Sequence, residues 1–194
     1  MYLEHIKPNS IIKKIARKLL SQRESKVICV ISGPSGSGKT TLLNKLSEEF
    51  ETIEFKDLDE LDNEASDILQ LPDKTSKKWK DSLEKKLFES RQILMDDVIE
   101  NSNKDLVFGG IPFEDEYELK FPEGTKKFLL SVDAETSAQR AYQRSQHEDI
   151  KTRRKLSELP DDIQDAKDDI ERLKKSGYEE ASEEEIRDYI SKFV

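Results

Sequence analysis

The chain has a single cysteine in 194 residues, so no internal disulfide can form, and the place of Cys29 within an apolar run makes it a small core residue suited to a reducing compartment. No apolar stretch is long enough to span a bilayer, and the first residues lack the apolar core of a secretory signal. The expectation is a cytoplasmic protein without a transmembrane segment. An excess of positive charge is missing too: 33 Lys and Arg stand against 42 Asp and Glu, and the net charge of -9 disfavours generic attraction to nucleic acid or an anionic membrane. Internal repeats and low-complexity linkers are absent. A chain of this length suits one domain with an ample core.

What is present begins with Gly33-Pro34-Ser35-Gly36-Ser37-Gly38-Lys39-Thr40, which matches G-x-x-x-x-G-K-[ST] directly after the apolar run Val27-Ile28-Cys29-Val30-Ile31. A strand there would deliver the chain into a tight turn whose backbone N–H groups close around phosphate oxygens, and the following helix would point its positive end at the anion. The candidate nucleotide contacts are Gly33, Ser35, Gly36, Ser37, Gly38, Lys39, Thr40 and Thr41. Lys39 would reach the β- and γ-phosphates of ATP, and the Thr40 hydroxyl would ligate Mg²⁺.

The remaining pattern alternates strands and helices. Residues 1–25 carry an amphipathic helix over 9–24, with Ile11, Ile15 and Leu19 on one side and Lys13, Lys14, Arg17 and Lys18 on the other. Residues 26–194 carry the rest. Thr52 to Asp57 alternates as a second strand, Thr75 to Glu100 has a helical stripe containing Trp79, Asp105 to Gly110 is a third strand running into glycines, and Lys126 to Asp133 is a fourth. A helix bearing Arg140 and Arg144 leads into a lid around residues 140–160 with Arg153 and Arg154. Pro160 opens a further helix, Tyr178 to Ala181 is a short fifth strand, and Ser182 and Glu185 have capping-box spacing before a last helix. The predicted fold is α/β, a three-layer parallel sheet of about five strands with helices on both faces and a mobile lid.

In such sheets ligands sit at the carboxyl ends of the strands. Asp57, Asp59, Gly109, Gly110 and Asp133 share that rim with the glycine loop. Asp57 could hold a water of the Mg²⁺ shell, and Asp59 could accept or orient a hydroxyl proton in line with the γ-phosphate. The same aspartates could instead form a solvated turn. Gly109 and Gly110 could be only a turn, or could let a substrate approach the backbone. Arg140 and Arg144 have the reach to close over a triphosphate, or could pair with Glu135 and Glu148 on the surface.

These residues carry a resemblance. Over residues 26–194 the order of elements is similar to that of the small P-loop kinases, the family of shikimate, gluconate, adenylate and uridine kinases. Asp57-Leu58-Asp59 resembles the D-x-D after the second strand of shikimate kinases, and Phe108-Gly109-Gly110 is similar to their glycine run after the third. The resemblance implies that Asp57 helps organise Mg²⁺ and that Asp59 touches the substrate hydroxyl. Val132 to Thr136 with Arg140 and Arg144 resembles the fourth strand and arginine-bearing lid helix of nucleoside and nucleotide kinases. Departures limit the transfer. The loop from Ile31 to Thr40 is most similar to guanylate kinase, yet the threonine- and arginine-rich segment by which that family holds GMP is absent. Between Asp59 and Gly109 the only arginine is Arg91, inside the long helix, so the acceptor's identity does not carry over, and the candidate anion contacts there are Lys74, Lys77 and Lys78.

The reading is therefore an ATP- and Mg²⁺-dependent kinase that moves the γ-phosphate to a hydroxyl or phosphate of a small molecule, with Lys39, Asp59, Arg140 and Arg144 as its catalytic residues. Asp59, Gly109 and Gly110 would meet the acceptor, and Thr40 and Asp57 the metal. Two alternatives stay open: a nucleotide-dependent switch that binds a partner, and a kinase of nucleic-acid ends, supported only by the basic residues 7–26. Oligomeric state is left undetermined.

Overall fold

The computed structural model describes residues 26–70, 81–114, 117–147 and 154–194. The helix expected over residues 9–24, Trp79, the three candidate lysines Lys74, Lys77 and Lys78, and Arg153 lie outside the described residues, as do residues 148–153 of the expected lid. Strand β1 (Val27–Ser32) is buried at every position. That is the environment its unbroken apolar run demands, since a strand covered on both faces has no solvent side. It lies between β3 (Asp105–Gly109) and β6 (Lys126–Leu130), parallel to both. Outside them, β2 (Ile53–Asp57) pairs with β3 and β7 (Glu179–Ala181) with β6, giving the all-parallel order β2-β3-β1-β6-β7.

Parallel neighbours require crossovers, and helices supply them. These are α1 (Lys39–Glu49), α2 (Leu58–Leu69), α3 (Asp81–Asn101), α4 (Ala134–Ser145), α5 (Leu159–Lys175) and α6 (Glu183–Ile190). One core joins Leu42, Leu43 and Leu46 of α1 and Ile186 and Ile190 of α6 to Ile28 and Ile31 of β1. The other joins Leu58 and Leu61 of α2, Met95 of α3 and Leu173 of α5 to Val30, Phe108 and Leu129. The protein is thus a three-layer α/β sandwich with helices on both faces of a parallel five-stranded sheet, as the alternating pattern predicts. The expected fifth strand and the capping box are both present, Ser182 Oγ accepting from Glu185 N while Ser182 N donates to Glu185 Oε2 at 2.8 Å. Among the described residues, no helix is long and apolar enough to cross a membrane.

Two elements escaped the sequence pattern. Leu58–Leu69 is a helix where a polar connection was expected. Asp57 caps it, its Oδ1 accepting from Asp59 N at 2.9 Å, and Leu58, Leu61 and Ala65 supply its buried face. Within the loop of residues 111–125, β4 (Phe113–Glu114) and β5 (Tyr117–Glu118) form a two-residue antiparallel ribbon.

Candidate active site

The site lies where the strand order changes direction, beyond the carboxyl end of β1, which has β3 on one side and β6 on the other. Residues Gly33 to Gly38 make the turn from β1 into α1, and Lys39, Thr40 and Thr41 are the first residues of that helix. The first-turn N–H groups of a helix have no intrahelical acceptor. Here no side chain caps them and no acidic residue stands in the first turn, so the positive end of α1 is available to an anion. The loop tip is tightly seated. A Cβ on Gly36, at φ 83°, would be driven into the Ser137 carbonyl oxygen of α4 and would lie 2.9 Å from Ala141 N. Helix α4, the expected lid helix, therefore rests directly on the loop.

Lys39 is half-buried in the middle of this arrangement. Its ammonium donates to the carbonyls of Gly33 at 2.6 Å and Pro34 at 2.9 Å, with a longer contact to Ser37 Oγ at 3.4 Å. Burial disfavours its charge and pulls its pKa down to about 8, against the opposing pull of Asp59, Asp169 and Asp57, while Arg144 adds to the lowering. The consequence has a definite sign. A bound polyphosphate favours the protonated amine, so nucleotide affinity should be full below about pH 8 and decline above it as the empty site loses its proton. Calorimetric titration with MgADP between about pH 7 and 10 checks this; an affinity that stays flat to the upper limit would mean that the amine does not titrate there.

Asp57 ties the loop helix to the acid pair. One carboxylate oxygen caps α2, and the other, Oδ2, accepts from Thr40 Oγ1 at 3.2 Å. The two residues that the sequence assigned to a metal are thus in contact, with hydroxyl and carboxylate oxygens of the hard type that Mg²⁺ requires. Asp59 stands on the first turn of α2 rather than on the strand end. Its side chain is exposed, yet the surrounding protein strips enough water from it to raise its pKa above the ordinary carboxylate value, and Asp57 raises it further. Lys39 and Arg91 act in the opposite direction.

The other expected residues divide. Arg144 is exposed on α4 but acts on Lys39; Arg140 is exposed one turn earlier on the same helix. Asp133 is a cap, accepting from Thr136 N at 2.8 Å and Thr136 Oγ1 at 2.7 Å. Gly109 and Gly110 have a packing reason. A Cβ on Gly109 would strike Leu43 Cδ1, and one on Gly110, at φ 137°, would lie 2.7 Å from Leu58 Cβ. Arg154 pairs with Asp162 at 2.8 Å.

Three residues near the site were not on the expected list. Arg91 of α3 is 4% exposed, donates to the Ile111 carbonyl at 2.7 Å and acts on Asp59. Asp169 of α5 acts on Lys39, and the Arg172 guanidinium of the same helix lies 4.0 Å from the centroid of the Phe113 ring. Asp169 and Arg172 are three apart on α5, a spacing that puts them on one side of the helix, but nothing local in the sequence says what that side faces.

The sequence matches the protein family described as "AAA domain" over residues 29–161. Among curated proteins, a probable gluconokinase of Dictyostelium discoideum is 36% identical over 86 residues, a match that spans 42% of this chain and 42% of that protein. Solved structures with a similar course of chain include a shikimate kinase of Acinetobacter baumannii in complex with shikimate, at 15% identity and a TM-score of 0.48, covering 82% of this chain and 83% of that one. A shikimate kinase of Aquifex aeolicus, at 20% identity and a TM-score of 0.49, covers 84% of this chain and 91% of that one.

Proposed function

The chain belongs to the AAA-domain family, and from that premise we propose that it is an ATP- and Mg²⁺-dependent phosphotransferase acting on a small-molecule hydroxyl or phosphate. The observation that carries this reading is the chain of contacts from Thr40 through Asp57 to Asp59, with Lys39 among the same charges. The Lys39 ammonium, the Thr40 and Asp57 oxygens and the Asp59 carboxylate share one rim, which supports a reading of them as phosphate-binding cation, metal-holding oxygens and base.

Binding of the triphosphate draws Lys39 from the Gly33 and Pro34 carbonyls to the β- and γ-phosphate oxygens. Thr40 with Asp57 would hold Mg²⁺, which would supply positive charge against the charge of the phosphates. Asp59 orients the acceptor hydroxyl and takes its proton as the new O–P bond forms and the bond from the γ-phosphorus to the β,γ-bridging oxygen breaks, releasing ADP. Its raised pKa favours its action as the proton acceptor. Arg144, whose charge acts on Lys39, would meet negative charge spread over the transferring group. A cytoplasmic setting suits a buried, unpaired cysteine, whose thiol burial also protects by pushing its pKa well up.

The test is an ADP-release screen of hydroxylated metabolites, nucleosides and nucleotides, headed by gluconate and shikimate because those acceptors appear in the names of the relatives. ADP production that needs an acceptor supports a kinase; equal production without one supports a nucleotide-hydrolysing switch. With the acceptor in hand, Asp59→Asn should lower kcat by about 100-fold or more without weakening MgADP binding. Equal losses in both would take Asp59 off the acceptor side.

A further inference from the structure

The two faces of the sheet are covered unequally. Among the described residues, the core on one face takes its helical side chains from α2, α3 and α5, of 12, 21 and 17 residues, and the core on the other from α1 and α6 alone, of 11 and 8. The thinner cover leaves aromatic surface. Phe128 of β6 meets Tyr189 of α6 edge-on with centroids 5.2 Å apart, Tyr189 meets Phe193 at 5.4 Å, and beside Phe193 stands Val194, a valine 67% exposed. Tyr189 and Phe193 are only half-buried, so this ladder runs from the core out to solvent. At its outer rung stands Lys26, whose ammonium lies 5.5 Å from the centroid of the Phe193 ring. Lys26 directly precedes β1, which places the patch toward the amino ends of the strands, away from the phosphate loop at their carboxyl ends.

We propose that this patch is the docking surface for residues 9–24 of the same chain, packed as a helix across Tyr189, Phe193 and Val194. Attachment decides the place. Only Ser25 separates residue 24 from Lys26, and two residues of extended chain span at most about 7 Å, so the last turn of such a helix must stand close to Lys26 and its Phe193 partner. Its apolar side suits that neighbour. Ile11, Ile15 and Leu19 lie four apart with Ile12, Ala16 and Leu20 beside them, a stripe wide enough to bury against a second surface, and Leu19 and Leu20 are nearest Lys26. Charge agrees with packing. Residues 1–25 hold six Lys and Arg against two Glu, a net +4 in a chain of net -9, so the rest carries -13. Glu184 and Asp188, exposed four apart on α6 beside the ladder, supply the opposite sign to the basic side of the segment. The same -13 works against the rival occupant of that segment, an anionic membrane.

The experiment is limited trypsin digestion of the full chain at neutral pH, read by mass spectrometry at the bond after Lys14, within the segment. A docked helix is cut only when it opens. Val194→Asp and Leu20→Asp put a charge into the two sides of the contact, and each should speed that cleavage about tenfold or more. Cleavage after Lys45 of α1 should stay slow in every variant, the sign that the domain itself remains folded. The double variant should be cut no faster than the faster single one, since one contact is broken only once. Rates in both single variants equal to the parent's would overturn the docking, and gains that multiply in the double variant would put the two residues in separate contacts and overturn it as well. Protection that falls on dilution would give the patch to a second copy of the chain, and protection that needs phosphatidylserine vesicles would give the segment to a membrane; either result overturns it.

Discussion

Lys39→Ala is expected to lose about 100- to 1,000-fold in turnover, the scale of removing a group aimed at charge that develops in the transition state, while the fold survives. The ammonium is held by two carbonyls of its own loop, Gly33 at 2.6 Å and Pro34 at 2.9 Å. It is a poor contributor to stability where it lies, because burial opposes its charge and moves its pKa down to about 8. The sign follows from that direction. A lysine whose folded pKa falls below its unfolded value disfavours the fold at pH values where it is protonated, so its removal relieves a strain at neutral pH even as two carbonyls lose a donor. Melting temperature should therefore stay within about 3 °C of the parent, about the shift that 1 kcal/mol produces in a chain of this size, while a coupled ADP-release assay reads the loss. Turnover within about threefold of the parent would remove Lys39 from the reaction.

Gly36→Ala should be nearly as damaging, through geometry rather than charge. At φ 83° any side chain is strained by about 1 kcal/mol, and here the added carbon also meets the Ser137 carbonyl and stands 2.9 Å from Ala141 N. Both atoms are helix backbone, which cannot rotate away as a side chain can. Either α4 withdraws or the loop shifts, and each route disturbs the phosphate site. The expected cost is about 2–4 kcal/mol, seen as a fall of about 5–15 °C in melting temperature and a loss of at least about tenfold in MgADP affinity. Gly124→Ala is the matched control, since Gly124 has the same φ of 83° with nothing within 4 Å of an added Cβ. If both variants melt together, the contact between loop and α4 adds nothing.

The parts of this structure that the sequence announces are those in which chemistry and periodicity are local. The glycine loop states its own geometry, and the apolar run before it can only be a central strand once helices flank it on both sides. Leu58–Leu69 went unread because its Leu58, Leu61 and Ala65 spacing is diluted by acidic residues, and because Asp57 passes for the end of a turn as readily as for a cap. The ribbon at Phe113–Glu114 and Tyr117–Glu118 is too short to leave a period. Arg91 was legible as a helix residue and no more, since a charge in a chain that is 39% charged gives no sign that it will be 4% exposed. Asp169 shows the same limit: its helical face follows from spacing, but that its charge acts on Lys39, 130 positions earlier, is fixed only by how the chain folds. The Gly109 and Gly110 pair went the other way. Both readings offered for them were local, whereas Leu43 and Leu58 give each a packing reason to lack a side chain.

The contacts of Lys39 with Gly33 and Pro34 bear on how the site meets its ligand. A loop bridged by its own lysine has the shape of a receptor before any phosphate arrives, so the ordering cost falls on folding and little of it is left for binding. Encounter then becomes an exchange of partners, in which phosphate oxygens take over a donor from the Gly33 and Pro34 carbonyls. Such a site should release nucleotide by the reverse exchange, without unravelling, and backbone amides of the loop should be protected from hydrogen exchange in the free protein nearly as well as in the complex.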